Sequence, residues 1–243
     1  MRQAIRITGA VLLGAGVLGL TWAFVVWRWQ DPLTALYTTY QQHKLAESFE
    51  RTFTAYRAPV LPPPTAHHLV DVRAEQRLIA AEARRYRHTL RTGEPLGRLR
   101  VPRLGLSIIV VTGTDEASLA KGPGWYTGTF LPGEGQLIYI AGHRTTYLAP
   151  FAHIDSLRPG DSVTLVLPYA TFVYRVTGHV IVSSDDLARL KSHGHEIVAL
   201  QACHPRFFAT HRYIVYARPV QVRPRHGTPY LISSSGRVTA QAA

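Results

Sequence analysis

Cysteine is all but missing from this chain. Cys203 is the single one in 243 residues, which excludes an internal disulfide and any zinc site built on several cysteines. Acidic side chains are scarce, 15 Asp and Glu against 27 Lys and Arg. The resulting positive charge suits an anionic polymer at a cell surface. Much of the arginine, however, lies in the linker and the tail, where a solvated basic stem explains it, and nucleic acid is not an expected partner. No internal repeat is visible. With 46% hydrophobic and 17% charged residues the composition is globular, and the length suits one domain plus accessory segments.

Charge is missing altogether between Ile7 and Trp27. About 20 apolar residues cross a bilayer core as a helix, and Trp22, Trp27 and Trp29 suit its far interface. Arg2 and Arg6 precede the run and Arg28 closes it. The run is too long for a cleaved signal peptide and lacks a small-x-small cleavage site. The expectation is a single-pass anchor in the cell membrane, with the N-terminus cytoplasmic and residues 30–243 outside.

Four segments follow from the texture of the chain. Residues 1–29 form the cytoplasmic stub and anchor. Residues 30–94 read as an extracellular stalk. In it Leu33, Leu36, Tyr37, Tyr40, Phe49, Phe53 and Tyr56 recur at mostly helical spacing, and a second helix spans Val72 to Arg91. Between these helices, Ala58 to Pro64 reads as a stiff polyproline spacer. Residues 95–222 change to short β-type runs punctuated by Gly and Pro, predicting a mainly β domain. Seven or eight strands with short helices favour a closed β-barrel over a parallel α/β sheet. Residues 223–243, rich in Ser, Gly and Pro, read as a flexible tail.

Cys203 ends the apolar strand Ile197–Cys203. A lone external thiol is inert, pairs with another molecule, or is chemically used. His143 follows another apolar strand and Arg212 opens a third, so the three can meet at one rim of a barrel. An imidazolium and a guanidinium beside the thiol would favour its reactive thiolate. Cys203 could then attack a carbonyl to form a thioacyl intermediate. His143 would protonate the leaving amine and deprotonate the incoming nucleophile. Arg212 could bind the oxyanion or the substrate backbone. Arg206 is the alternative guanidinium, Arg144 reads as a loop-tying residue, and His204 is a rival base on the opposite strand face. His193, His195 and His211 fit no metal signature.

The local strings are more specific. They run from Gly97-Arg98-Leu99-Arg100-Val101-Pro102 through Gly122-Pro123-Gly124-Trp125-Tyr126 and Gly128-Thr129-Phe130-Leu131-Pro132-Gly133. Ala141-Gly142-His143-Arg144-Thr145-Thr146-Tyr147, Leu157-Arg158-Pro159-Gly160-Asp161, Leu200-Gln201-Ala202-Cys203-His204-Pro205 and His211-Arg212 complete the series. In order and spacing over about residues 95–220, the chain resembles the sortases, membrane-anchored cysteine transpeptidases, and is most similar to class E.

The resemblance implies a sortase-type barrel with His143, Cys203 and Arg212 as its catalytic residues. It implies cleavage of a Leu-Pro/Ala-x-Thr-Gly sorting signal between Thr and Gly, and transfer to an amine. The partners would be secreted proteins with C-terminal sorting signals and an acceptor, either a cell-wall peptide precursor or a pilin lysine. No metal or organic cofactor is needed. Tyr147 is implied as a specificity residue. One departure stands out: Ala199 and Ala202 occupy the two threonine places of the family's T-L-x-T-C pattern. Ala202 thus falls where the family supports the substrate or the oxyanion. Two other readings are a cysteine endopeptidase that uses water and a silent module that only binds sorting signals.

Overall fold

A computed structural model describes residues 2–29, 32–57, 72–233 and 235–241. Eight strands carry the fold: β1 (Pro95–Val101), β2 (Leu106–Thr112), β3 (Gly124–Trp125), β4 (Leu137–Ala141), β5 (Ser162–Val166), β6 (Ala170–Ser183), β7 (Ile197–His204) and β8 (His211–Pro224). They pair in the order β8-β6-β5-β1-β2-β3-β4-β7, and β7 pairs again with β8 to close the barrel. Most neighbours are antiparallel, while β2–β3 and β4–β7 are parallel. The mainly β, closed eight-stranded barrel is the expected fold.

Strand alternation divides the apolar side chains between two faces. Leu99, Val101, Ile138, Ile140, Val163, Leu165, Phe172, Val198, Leu200 and Val215 fill the barrel. A smaller cluster of Leu137, Tyr139, Val182, Ala199 and Ile214 lies on the outer face of β4, β6, β7 and β8. This second cluster is why β4 and β7 read as continuous apolar runs: they are covered on both faces.

Three helices precede the barrel: α1 (Arg2–Trp29), α2 (Pro32–Ala55) and α3 (Val72–Arg87). Among the described residues, α1 contains the one stretch, Arg2–Phe24, long and apolar enough to cross a membrane. The segment read as a stalk supplies two helices to the flank of the barrel. Leu45 and Phe49 of α2 pack on Ile109 and Val111. Ile79, Ala83 and Tyr86 of α3 join the main core. Gln42 holds α2 in register, because its amide accepts from Ile109 N at 2.8 Å and donates to the oxygens of Ile109 and Lys121 at 3.0 and 2.8 Å. The polyproline spacer expected at residues 58–64 lies outside the described residues.

The flexible tail expected at residues 223–243 is corrected by the structure. β8 runs on to Pro224, and β9 (Tyr230–Ile232) and β10 (Val238–Ala240) add a hairpin to its edge. Tyr230 is buried in the main core and Ile232 and Val238 pack against it. The apolar signal is only three residues per strand, too short to stand out from its Ser/Gly surroundings.

Candidate active site

The parallel register of β4 on β7 builds the site. Ala141 lies opposite Gln201, and Gly142 N donates to Gln201 O at 2.9 Å. Two residues further along each chain, at the same rim, come His143 and Cys203. Across the antiparallel β7–β8 pair, Cys203 lies directly opposite Arg212. Side chains opposite one another in a ladder have Cβ atoms about 5 Å apart. Cys203 shares the outer face with Ala199 and Gln201, and Arg212 shares it with Ile214. All three expected catalytic residues therefore meet at one end of the barrel wall.

His143 is held from behind. Gly142 must be a glycine because a Cβ there would sit 2.6 Å from the ring of Phe151, and Phe151 N donates back to His143 O at 3.1 Å. Tyr147, Leu148 and Ala149 follow with positive φ of 53°, 62° and 38°. Three consecutive side-chain-bearing residues in the left-handed region are costly, and such strain persists only where the surroundings fix it. The Tyr147 ring lies 4.9 Å from the imidazole, centroid to centroid.

The imidazole Nε2 is buried and has no hydrogen-bond partner. Burial lowers the His143 pKa below the usual imidazole value, and the nearby Glu116 carboxylate opposes this more weakly. Burial thus favours the neutral imidazole over the imidazolium. A buried, unpartnered imidazole nitrogen on the rim that also carries Cys203 is available as a proton acceptor.

Arg212 Nη1 donates to the carbonyls of Ala209 and His211 at 2.7 and 3.0 Å. Its guanidinium also lines a groove of about 260 Å³ with Tyr126, Tyr139, Ala141, Val182, Gln201 and Ile214. Tyr139, Val182 and Ile214 of the outer apolar cluster form its floor. The sequence reading missed Tyr126, Tyr139 and Gln201, although alternation along β4 and β7 from Ala141 and Cys203 would have marked the last two.

Arg144 turns the other way. It is 4% exposed, and its Nη2 pairs with Asp155 at 2.8 Å. Its Nη1 donates to Cys203 O at 3.3 Å and meets His204 Nδ1 at 2.9 Å. His204 thus faces away from Cys203 and is engaged elsewhere. Arg206 lies in the β7–β8 loop with its guanidinium over the Phe207 ring.

Ala202 is fully buried in the barrel core, on the face of β7 opposite Cys203. The expectation that it touches substrate is corrected by strand alternation: its side chain does not reach the groove. Among the described residues, no three His, Cys, Asp or Glu side chains could together hold a metal ion.

Comparison with known proteins identifies the family and the fold. The sortase domain family model matches residues 99–220. The chain belongs to the sortase family. It is 34% identical over 133 residues to sortase D of Bacillus subtilis, covering 53% of this chain and 66% of that protein. With sortase E1 of Streptomyces coelicolor the identity is 32% over 95 residues, 35% of this chain and 27% of that one. The chain thus spans less than two thirds of the length of either of these sortases. A crystal structure of the Streptomyces coelicolor sortase E1 with a tripeptide in its active site superposes with a TM-score of 0.52 at 26% identity, covering 55% of this chain and 92% of that one. A Clostridium perfringens sortase D5 transpeptidase shares the fold at 21% identity, with a TM-score of 0.57 over 74% of this chain and 98% of that one.

Proposed function

We propose that this sortase is a class E-like cysteine transpeptidase of the cell surface. It cuts a Leu-Pro/Ala-x-Thr-Gly signal between Thr and Gly and transfers the protein to a cell-wall or pilin amine. The observation that carries the reading is the rim on which Cys203 faces Arg212 across the β7–β8 ladder and lies, like His143, two residues beyond the last β4–β7 pair, Ala141 and Gln201.

The sorting signal lies in the groove floored by Tyr139 and Ile214, with its scissile carbonyl at Cys203. His143 takes the thiol proton as sulfur bonds to the carbonyl carbon. Arg212, held by two loop carbonyls, supplies its remaining N–H groups to the developing oxyanion. His143 returns the proton to the leaving glycine amine, and the thioacyl-enzyme remains. An acceptor amine then gives its proton to His143 and displaces the thiolate. Tyr147, beside the imidazole, influences the signal residues that pass on that side. α1 is the anchor, with the catalytic barrel outside the membrane.

The test uses the full chain in detergent with quenched Leu-Pro-x-Thr-Gly and Leu-Ala-x-Thr-Gly peptides, with and without an amine, beside Cys203→Ala. Amine-capped product that vanishes in the variant is the expected result. Free acid alone in the presence of amine would replace transfer with hydrolysis. An uncleaved peptide that still binds, with no covalent adduct at Cys203, would reduce the site to a binding module.

A further inference from the structure

We propose that the first two turns of α2 lie in the lipid headgroup layer, through Leu36, Tyr37 and Tyr40, and hold the catalytic rim at the membrane surface. This rests on the reading of α1 as a membrane span.

The two sides of α2 differ sharply. Thr38, Leu45 and Phe49 are buried against the barrel. On the opposite side Leu36, Tyr37 and Tyr40 are 72%, 45% and 56% exposed. At 100° per residue these three fall within one third of the helix circumference. Further along the same side the exposed residues become polar: Lys44 lies over the Tyr40 ring at 4.5 Å, His43 pairs with Glu47, and Arg51 follows. The outward face is therefore apolar and aromatic at its start and charged after two turns.

The tether says what covers this patch. α1 ends at Trp29 and α2 begins at Pro32. Three Cα–Cα steps of 3.8 Å allow at most about 11 Å between them. The patch is therefore delivered to the membrane by the anchor itself. Leu36 to Tyr40 rises about 6 Å along the helix, and a headgroup layer is about 5–8 Å thick on each side of the bilayer. Tyrosine with a neighbouring lysine is the side-chain chemistry of that layer.

The consequence reaches the catalytic site. Thr34, two residues before the patch, accepts from Tyr147 N through its Oγ1 at 3.0 Å, and Tyr147 stands against His143. Thr38 Oγ1 also donates to Ala120 O at 2.8 Å, beside the segment that carries Glu116. An α2 seated in the interface thus fixes the His143 loop there too.

The lone cysteine makes the test direct. Cys203→Ala gives a cysteine-free full chain, into which single cysteines are placed at 17, 36, 40, 51 and 218 for spin labelling. The protein is reconstituted in phosphatidylethanolamine–phosphatidylglycerol vesicles, and each label's collision with oxygen and with a water-soluble nickel chelate gives its depth. Position 17 is expected in the hydrocarbon, 36 and 40 at phosphate depth, and 51 and 218 in water. Labels at 36 and 40 as aqueous as 51, with 17 still deep, would overturn the interfacial α2 and leave the anchor standing. An aqueous label at 17 would remove the anchor and the proposal with it.

Discussion

Arg144 holds the backbone of Cys203: its Nη1 reaches the cysteine carbonyl at 3.3 Å from inside the barrel end, while the cysteine side chain faces out. The same guanidinium pairs with Asp155 and His204. One buried cation thus joins the loop that carries His143, the turn at Ile154–Ser156 and the strand that carries Cys203. It ties the His143 loop to the Cys203 backbone without touching either side chain.

Replacing Arg144 with Ala should therefore cost both stability and rate. Breaking a buried ion pair costs about 3–5 kcal/mol, but Asp155 is half-exposed, so about 2 kcal/mol is expected by urea unfolding. The turnover number should fall by more than 10-fold, with KM nearly unchanged, because the groove is intact. Arg144→Lys should recover part of the stability and little of the rate, since an ammonium cannot reach three partners in a fork. Equal loss of rate in both, at wild-type stability, would instead put Arg144 in contact with substrate.

The His143 titration gives a pH signature. Its folded pKa lies below the ordinary imidazole value of about 6.5. Above that value both folded and unfolded forms are neutral and the group contributes nothing to pH dependence. As pH falls below it, the unfolded chain binds the proton first, so stability declines until the folded pKa is passed. The acid limb of kcat/KM should accordingly lie below pH 6.5. Glu116→Gln should move it lower still, because the carboxylate is what raises it. A limb above 6.5, or one that moves upward in Glu116→Gln, would contradict burial as the dominant cause; an NMR titration of the ring checks it independently.

Much of this site was legible in the sequence because strands are local. The apolar runs ending at Ala141 and Cys203 needed only one parallel pairing to bring His143 to the rim that carries Cys203. Ala202 was misplaced because a motif position says nothing of which face a side chain takes, whereas strand alternation does. The burial of His143 was hidden for a related reason: sequence shows the charge a group can carry and not the burial that shifts it. Gln42 and Thr34 were invisible because their partners, Ile109 and Tyr147, lie far along the chain.

Arg212 should be far less replaceable than its exposure suggests. Two of its donors go to its own loop, so the planar group is aimed before substrate arrives. Losing one such oxyanion donor costs about 10²–10³ in kcat. Arg212→Lys should show most of that loss, because the ammonium lacks the fork, while binding of an uncleavable peptide changes little. Retained turnover in Arg212→Ala would transfer the role to Arg206.

The C-terminal hairpin should matter for stability alone. Tyr230 is 3% exposed and packs with Val222, and Thr228 N donates to Glu75 of α3, so β9 closes the end of the core remote from the catalytic rim. Tyr230→Ala should cost about 3 kcal/mol as a large-to-small core change, lowering Tm by about 6–12 °C. Arg212 and Val222 are ten residues apart on one strand, about 30 Å. Turnover per folded molecule at a temperature well below the transition should therefore match the wild type. A fall in turnover under those conditions would mean that β8 transmits strain along its length, and the hairpin would then belong to the working of the site as well as to the fold.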